Sequence, residues 1–317
     1  MRYILSILLV VLCLRSTPWG FFAHKEINYL ATFTLPPEMF GFYKSNIGYI
    51  KDFAVRPDQR RYAIEGEAPR HYIDLDHWET STPIDTMPHH WDSAVATYGE
   101  EELTEYGIVP WHIQKVTGWL TYAMKKRDYE RIIKLSADLG HYIADAHLPL
   151  HTTENYNGQL TNQKGIHGLW ESRLPELFAS DYDFFTGKAV YLDDPLETIW
   201  QAVGESFAAK DTVLALELAL TEQMPTTKYS FERRGASTVK VYSREFSEAY
   251  HRAMGTMVER RMKKAIYTTG CFWYTAWVDA GQPDLDFDVT QRVDLQPQID
   301  SLQLLMRGEI KGRMETH

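Results

Sequence analysis

Residues 130–151, ERIIKLSADLGHYIADAHLPLH, constrain the fold of this chain more than any other stretch. Ile132, Leu135, Leu139, Tyr142 and Ala146 recur at helical spacing, which predicts an amphipathic helix. Pro149 cannot continue that helix, so the chain must turn there. His141 and Asp145 stand four residues apart and share a helical face, while His151 falls on the turn beyond. A polar loop, TTENYNGQLTNQKG, follows, and its Asn157-Gly158 pair can reverse the chain. IHGLWE then presents His167 and Glu171, again four apart. Two imidazole–carboxylate pairs plus His151 within 31 residues form a metal-binding pattern. The donor set suits zinc, and other divalent metals also fit. His147 lies off the His141/Asp145 face and reads as a neighbour. His89, His90, His112, His251 and His317 have no partner at metal-binding spacing and read as ordinary histidines.

The rest of the chain is also helical in pattern. Helices are expected over 22–33, 91–106, 111–126 and 196–222, with one or two long helices over 239–279. Asp194, Pro195 and Glu197 form a helix start: a cap, a first-turn proline and a first-turn acid. Strand-like alternation is scarce, and neither repeat nor linker divides the chain. The expectation is an all-α fold, a single-domain multi-helix bundle over 19–317. The tail from Val293 either adds a short amphipathic helix or is loosely ordered.

Residues 1–18 read as a removable signal peptide, with Arg2 ahead of an eleven-residue apolar run from Ile4 to Leu14. That run is too short to span a bilayer, so no transmembrane span is expected. Export to the periplasm or the medium follows. Cleavage before Trp19 would leave Cys271 as the one cysteine, so stability must come from the core, from metal, or from both. A formal net charge of −10 argues against stable electrostatic binding of duplex DNA. Nothing in the sequence implies a protein partner.

Further motifs join the histidine cluster in a recognisable order. WGFFAH offers Trp19 and His24, and RPDQRRYAIEGEAPRHYIDLDHW offers Asp58, Arg61, His71, Tyr72 and Asp74. This order, ending in H-x3-D-x5-H and H-x3-acid, resembles the superfamily of zinc-dependent single-strand nucleases/3′-nucleotidases and bacterial zinc phospholipases C. The motifs run from Trp19 to Glu171; beyond that the likeness is helical character only. The resemblance implies an all-α bundle around a trinuclear zinc site, with three zinc ions per chain. One ion would take Asp58, His71, His141 and Asp145. A second would take His151, His167 and Glu171. The third would take His24, Asp145, and the freed α-amino nitrogen and carbonyl oxygen of Trp19. Asp145 would bridge two ions, and signal-peptide cleavage would complete the site.

The implied chemistry is phosphodiester hydrolysis by a hydroxide held between zinc ions, with Asp58, Asp145 and Arg61 as catalytic residues. The nuclease branch is expected, acting as an endonuclease on single-stranded nucleic acid or on 3′-nucleotides. Its marks are the Trp19–His24 spacing, Arg61 three after Asp58, and Asp74 three after His71. Asp74 would read a base edge and Tyr72 would stack the base. The alternative is a phospholipase C acting on phospholipid head groups. Glu171 is the phospholipase choice, the 151–167 loop is short, and the Gly-Gly-Asn of many nucleases is absent. A third reading is a non-catalytic zinc-binding module.

Overall fold

The computed structural model describes residues 21–61, 63–78, 83–234 and 237–285. The expected signal segment, Trp19 and the tail from Val293 lie outside the described residues. The fold is all-α with one small hairpin. Helix α1 (Phe21–Ala31) is followed by the short helices α2 (Pro37–Ser45), α3 (Ile47–Asp52) and α4 (Arg56–Arg60). Four more follow: α5 (Pro83–Thr86), α6 (Trp91–Tyr98), α7 (Glu100–Tyr106) and α8 (Val109–Lys126). The second half contains α9 (Tyr129–Ala146), α10 (Ile166–Gly168), α11 (Leu174–Phe178), α12 (Pro195–Gln223), α13 (Arg244–Met254) and α14 (Met257–Asp279).

Local chemistry sets the ends of the helices that matter most. Asp128 caps α9 by accepting from the Arg131 amide, and Asp194 caps α12 by accepting from the Glu197 amide. Helix α9 ends at Ala146, and a short 3-10 turn over Pro149–Thr152 carries His151 off its axis. The expected 91–106 helix is two helices, because Gly99 breaks it at φ +84°. The expected helical stretch from 239 also needs correction. Strand β1 (Tyr229–Arg234) pairs antiparallel with β2 (Ser237–Tyr242), and only then do α13 and α14 begin.

One large apolar cluster gathers residues from α1, α8, α9, α12 and α14, including Ile27, Leu120, Ile133, Trp200 and Trp273. A second cluster lies round Leu150, Trp170, Val213, Phe246 and Tyr250. Helices α12 and α14 contribute to both, so the clusters are tied by continuous backbone.

Helix α1 meets α9 unusually closely. A Cβ on Gly140 would lie 1.9 Å from Asn28 Oδ1. Asn28 is fully buried and donates to the Ala137 carbonyl at 3.0 Å and to the Ile50 carbonyl at 3.3 Å. This contact presses His24, one turn before Asn28, onto His141, the residue after Gly140. Among the described residues no helix is long and apolar enough to cross a membrane.

Candidate metal centre

Four segments converge. Helix α1 brings His24, the α4 region brings Asp58, a 3-10 turn over Ala68–His71 brings His71, and α9 brings His141 and Asp145. The turn after α9 adds His151, and the 166–178 helical run adds His167 and Glu171. All eight side chains are between 0 and 6 % exposed.

The backbone holds each ligand segment in place. Residues 69–74 are pinned by three hydrogen bonds: Ile108 N to Pro69 O, Val109 N to Tyr72 O, and Asp74 N to Tyr106 O. Gly107, at φ +98°, permits the approach, since a Cβ there would lie 2.2 Å from the Tyr72 carbonyl oxygen. Asn157 Oδ1 accepts from the Gly165 amide at 2.9 Å, closing the loop that returns the chain to His167.

The donor atoms form two linked sets. His71 Nδ1 and His141 Nε2 lie 3.0 Å apart. Asp145 Oδ2 is 3.0 Å from His71 Nδ1 and 3.2 Å from His141 Nε2. Asp58 Oδ1 is 3.6 Å and 3.5 Å from the same two nitrogens. Donors 2.0–2.1 Å from one tetrahedral zinc would be about 3.3 Å apart, so this set has the spacing of a zinc cage. The other oxygen of Asp145 faces elsewhere: Oδ1 is 3.5 Å from His24 Nε2 and 3.7 Å from His151 Nδ1. One carboxylate therefore spans two groups of donors.

His151, His167 and Glu171 form a further group whose donor atoms lie within 4.8 Å of one another. His151 Nδ1 donates to the His71 carbonyl at 2.5 Å, which leaves Nε2 as its ligand atom. Glu171 Oε2 is 2.8 Å from His167 Nε2, and Oε1 is 3.1 Å from His24 Nε2. Glu171 sits in a π-helical turn, Leu169–Arg173, inserted between α10 and α11. Such turns often mark functional positions, because the extra residue re-aims the side chains around it. Three groups of donors among the described residues have the spacing of a metal site: His24/His141/Asp145, Asp58/His71/His141 and His151/His167/Glu171. Buried atoms with no hydrogen bond among the described residues include His24 Nδ1, Asp58 Oδ2 and His141 Nδ1.

Electrostatics follow from burial among acids. Burial alone would lower His24, but the Glu171 hydrogen bond and the Asp145 and Asp58 charges outweigh it and raise His24 to about 9. His141 is pushed down to about 3 by burial and then by the neighbouring His24. His147 faces away from the donors: Nδ1 donates to the Ile143 carbonyl at 2.8 Å, and burial with the Arg261 charge lowers it to about 3.

The remaining site residues divide. Arg61 is 3 % exposed, not a solvated partner of Arg60. Asp74 is 5 % exposed. Tyr72 is 2 % exposed and its hydroxyl donates to the Glu105 carbonyl at 3.1 Å. A ring packed this way offers no face to a base, which counts against the stacking role. Trp19 lies outside the described residues.

Two features escaped sequence reasoning. The His24–Glu171 contact joins residues 147 positions apart. A buried network behind His71 is also tertiary: Arg60 reaches Glu67 at 3.0 Å and Asp138 at 2.9 Å, while the Tyr142 hydroxyl donates to Glu67. Glu67 Oε1 lies 3.9 Å from His71 Nε2, behind the nitrogen that faces the donors.

No protein-family model and no curated protein sequence matches the chain. Among solved structures, the alpha-toxin of Clostridium perfringens from avian strain SWCP is similar at 13% identity and a TM-score of 0.47. That match covers 84% of this chain and 65% of the toxin. The alpha-toxin of Clostridium absonum is similar at 12% identity and a TM-score of 0.46, covering 85% and 65%. The chain thus spans a little under two thirds of the length of either toxin.

Proposed function

We propose that this chain is a metal-dependent hydrolase of phosphoric esters, with zinc as the metal the donor set fits best. The observation that carries the reading is Asp145, whose two oxygens face His71 and His141 on one side and His24 on the other. Zinc ions held there supply Lewis acidity for phosphate oxygens and lower the pKa of a water. The protein does the rest. Asp58 Oδ2 is buried and makes no hydrogen bond among the described residues, so it can take a proton from the attacking water. Arg61 is buried directly after α4, and this reading assigns its guanidinium to charge on the phosphate.

For substrate, we favour the ester of a phospholipid head group, with export to the medium or periplasm. The nuclease reading needs Tyr72 as a base platform, and Tyr72 is buried. Burial and the charges of Glu105, Glu154, Glu102 and Asp74 raise Tyr106, which adjoins the His71 segment. Negative charge on that side suits a head group with an ammonium better than a polyanion. Single-stranded nucleic acid or a 3′-nucleotide is the second reading, resting on Asp74 and the Asp58–Arg61 spacing.

The test is hydrolysis of phosphatidylcholine, single-stranded DNA, RNA and a 3′-nucleotide by zinc-loaded protein, with and without chelator. Chelator-sensitive phosphocholine release is expected. Cleavage confined to the nucleic substrates would reverse the preference. Inertness toward all four by fully loaded protein would leave only the binding-module reading.

A further inference from the structure

The outer face of α8 carries residues that the metal centre does not use. Lys115, Trp119, Tyr122 and Lys126 are all exposed, at positions i, i+4, i+7 and i+11, which is one stripe of a helix. Trp119 is 38 % exposed and Tyr122 is 54 % exposed. The opposite face, with Ile113, Val116, Leu120 and Ala123, is 0–2 % exposed and packs into the main core. Helix α8 contains no Asp or Glu, and Lys125, Lys126 and Arg127 close it, although the whole chain carries −10.

The lysines are organised around the rings. The Lys115 ammonium lies 5.4 Å from the Trp119 ring centroid, and that of Lys126 lies 5.5 Å from Tyr122. Each ring thus has a cation over one face. That arrangement disfavours stacking of nucleic-acid bases, which needs free faces along a groove. It fits a bilayer interface, where Trp and Tyr sit at head-group depth and lysine stems run along apolar surface with their ammonium groups on lipid phosphates. Two large amphipathic rings rimmed by positive charge suit the head-group layer of an anionic membrane.

We propose that the α8 stripe seats the protein on an anionic phospholipid surface, with Trp119 and Tyr122 at the interface and Lys115 and Lys126 on head-group phosphates. The proposal builds on the phospholipid reading above, because a bilayer would then present both the docking surface and the ester.

The test is sedimentation of full-length, zinc-loaded protein with vesicles of equimolar phosphatidylcholine and phosphatidylserine, and with phosphatidylcholine alone. The variants are W119A/Y122A and K115Q/K126Q, all at exposed positions. Wild type should partition onto the mixed vesicles, and each double variant should lower that partition about tenfold. Hydrolysis of a dispersed short-chain phospholipid should stay at the wild-type rate in both variants. No partition by wild type, or equal partition by wild type and both variants, would overturn the proposal. So would variants that lose affinity for a single-stranded oligonucleotide and keep it for vesicles. Vesicle binding without cleavage of any phospholipid would leave the docking face standing and remove the phospholipase reading. Cleavage of the dispersed lipid without vesicle binding would do the reverse.

Discussion

Gly140→Ala is the sharpest test of how the fold holds its donors. The new methyl would lie 1.9 Å from Asn28 Oδ1, 2.8 Å from Asn28 Cγ and 3.1 Å from Thr269 Cγ2. A carbon and an oxygen need more than 3 Å, so Asn28 or the whole of α1 must move by about 1 Å. Overpacking of this size costs about 1–3 kcal/mol. Turning Asn28 away also breaks its bonds to the Ala137 and Ile50 carbonyls, and each buried group left unpaired costs about 1–3 kcal/mol. The helical gain of alanine over glycine returns only about 0.5–1 kcal/mol. The net expectation is a loss of at least about 2 kcal/mol, read by urea unfolding of zinc-loaded protein. A second readout is specific to the site. His24 and His141 stack with ring centroids 4.1 Å apart, across the same helix contact. Displacing α1 should therefore lower zinc content as well as stability. Asn28→Ala in the Gly140→Ala background should recover part of both, because it removes the clashing oxygen. A Gly140→Ala protein as stable as wild type, with full zinc, would refute the α1–α9 packing.

Asp145→Asn should lose zinc and lower phosphate-ester hydrolysis by at least about a hundredfold, since removing even an outer partner of a ligand costs ten- to a hundredfold; full zinc content by metal analysis with normal rates would contradict the sharing. Glu217→Ala should cost about 3–5 kcal/mol in urea unfolding, because Glu217 is fully buried and holds Lys228 at 2.7 Å, Gln163 at 2.6 Å and Tyr242 at 3.0 Å. A loss below about 1 kcal/mol would mean the Lys228 ammonium finds water instead. His112 gives a pH test: burial, then the Arg70, Arg60 and Lys115 charges, lower it to about 2 from an ordinary 6.5. Below pH 6.5 the unfolded chain binds a proton that the folded chain refuses, so stability falls with pH by about 1.4 kcal/mol per unit. The stability advantage of wild type over His112→Gln should shrink at that slope between pH 6 and pH 4.5, and a constant difference would refute it.

What the sequence disclosed is what is local. His141/Asp145 and His167/Glu171 were legible because a helix fixes residues four apart, and Pro149 forces the turn that carries His151. The stop of α9 and the start of α12 were legible because Pro149, Asp194 and Pro195 act locally, whereas the Asp128 cap of α9 was not read. The hairpin was not, because YSFERR and STVKVY are each six residues long and at least half polar. The burial of Tyr72 was hidden too, since it depends on the missing side chain of Gly107, 35 positions away in sequence. The same holds for Glu171. Helical spacing pairs it with His167, but its reach to His24 needs both the π turn and the packing of α1.

The donor set also bears on whether the site is structural or catalytic. Asp58, Asp145 and Glu171 are 6 %, 1 % and 2 % exposed, and burying carboxylates without compensation costs several kcal/mol each. A protonated His24 offsets only part of that charge, so bound cations should raise stability whatever else they do. A chelator-induced fall in melting temperature is therefore expected under both readings and separates neither. Openness does separate them. Structural zinc sites are closed by four protein ligands, whereas catalytic ones keep a position for water or substrate. His151, His167 and Glu171 supply three ligand residues among those described. An ion held by these three residues alone would keep a fourth position for a phosphate oxygen. Inorganic phosphate should then bind the zinc-loaded protein and compete with ester hydrolysis. Zinc-loaded protein that takes up no phosphate would show a closed cage, and the binding-module reading would stand in place of the hydrolase.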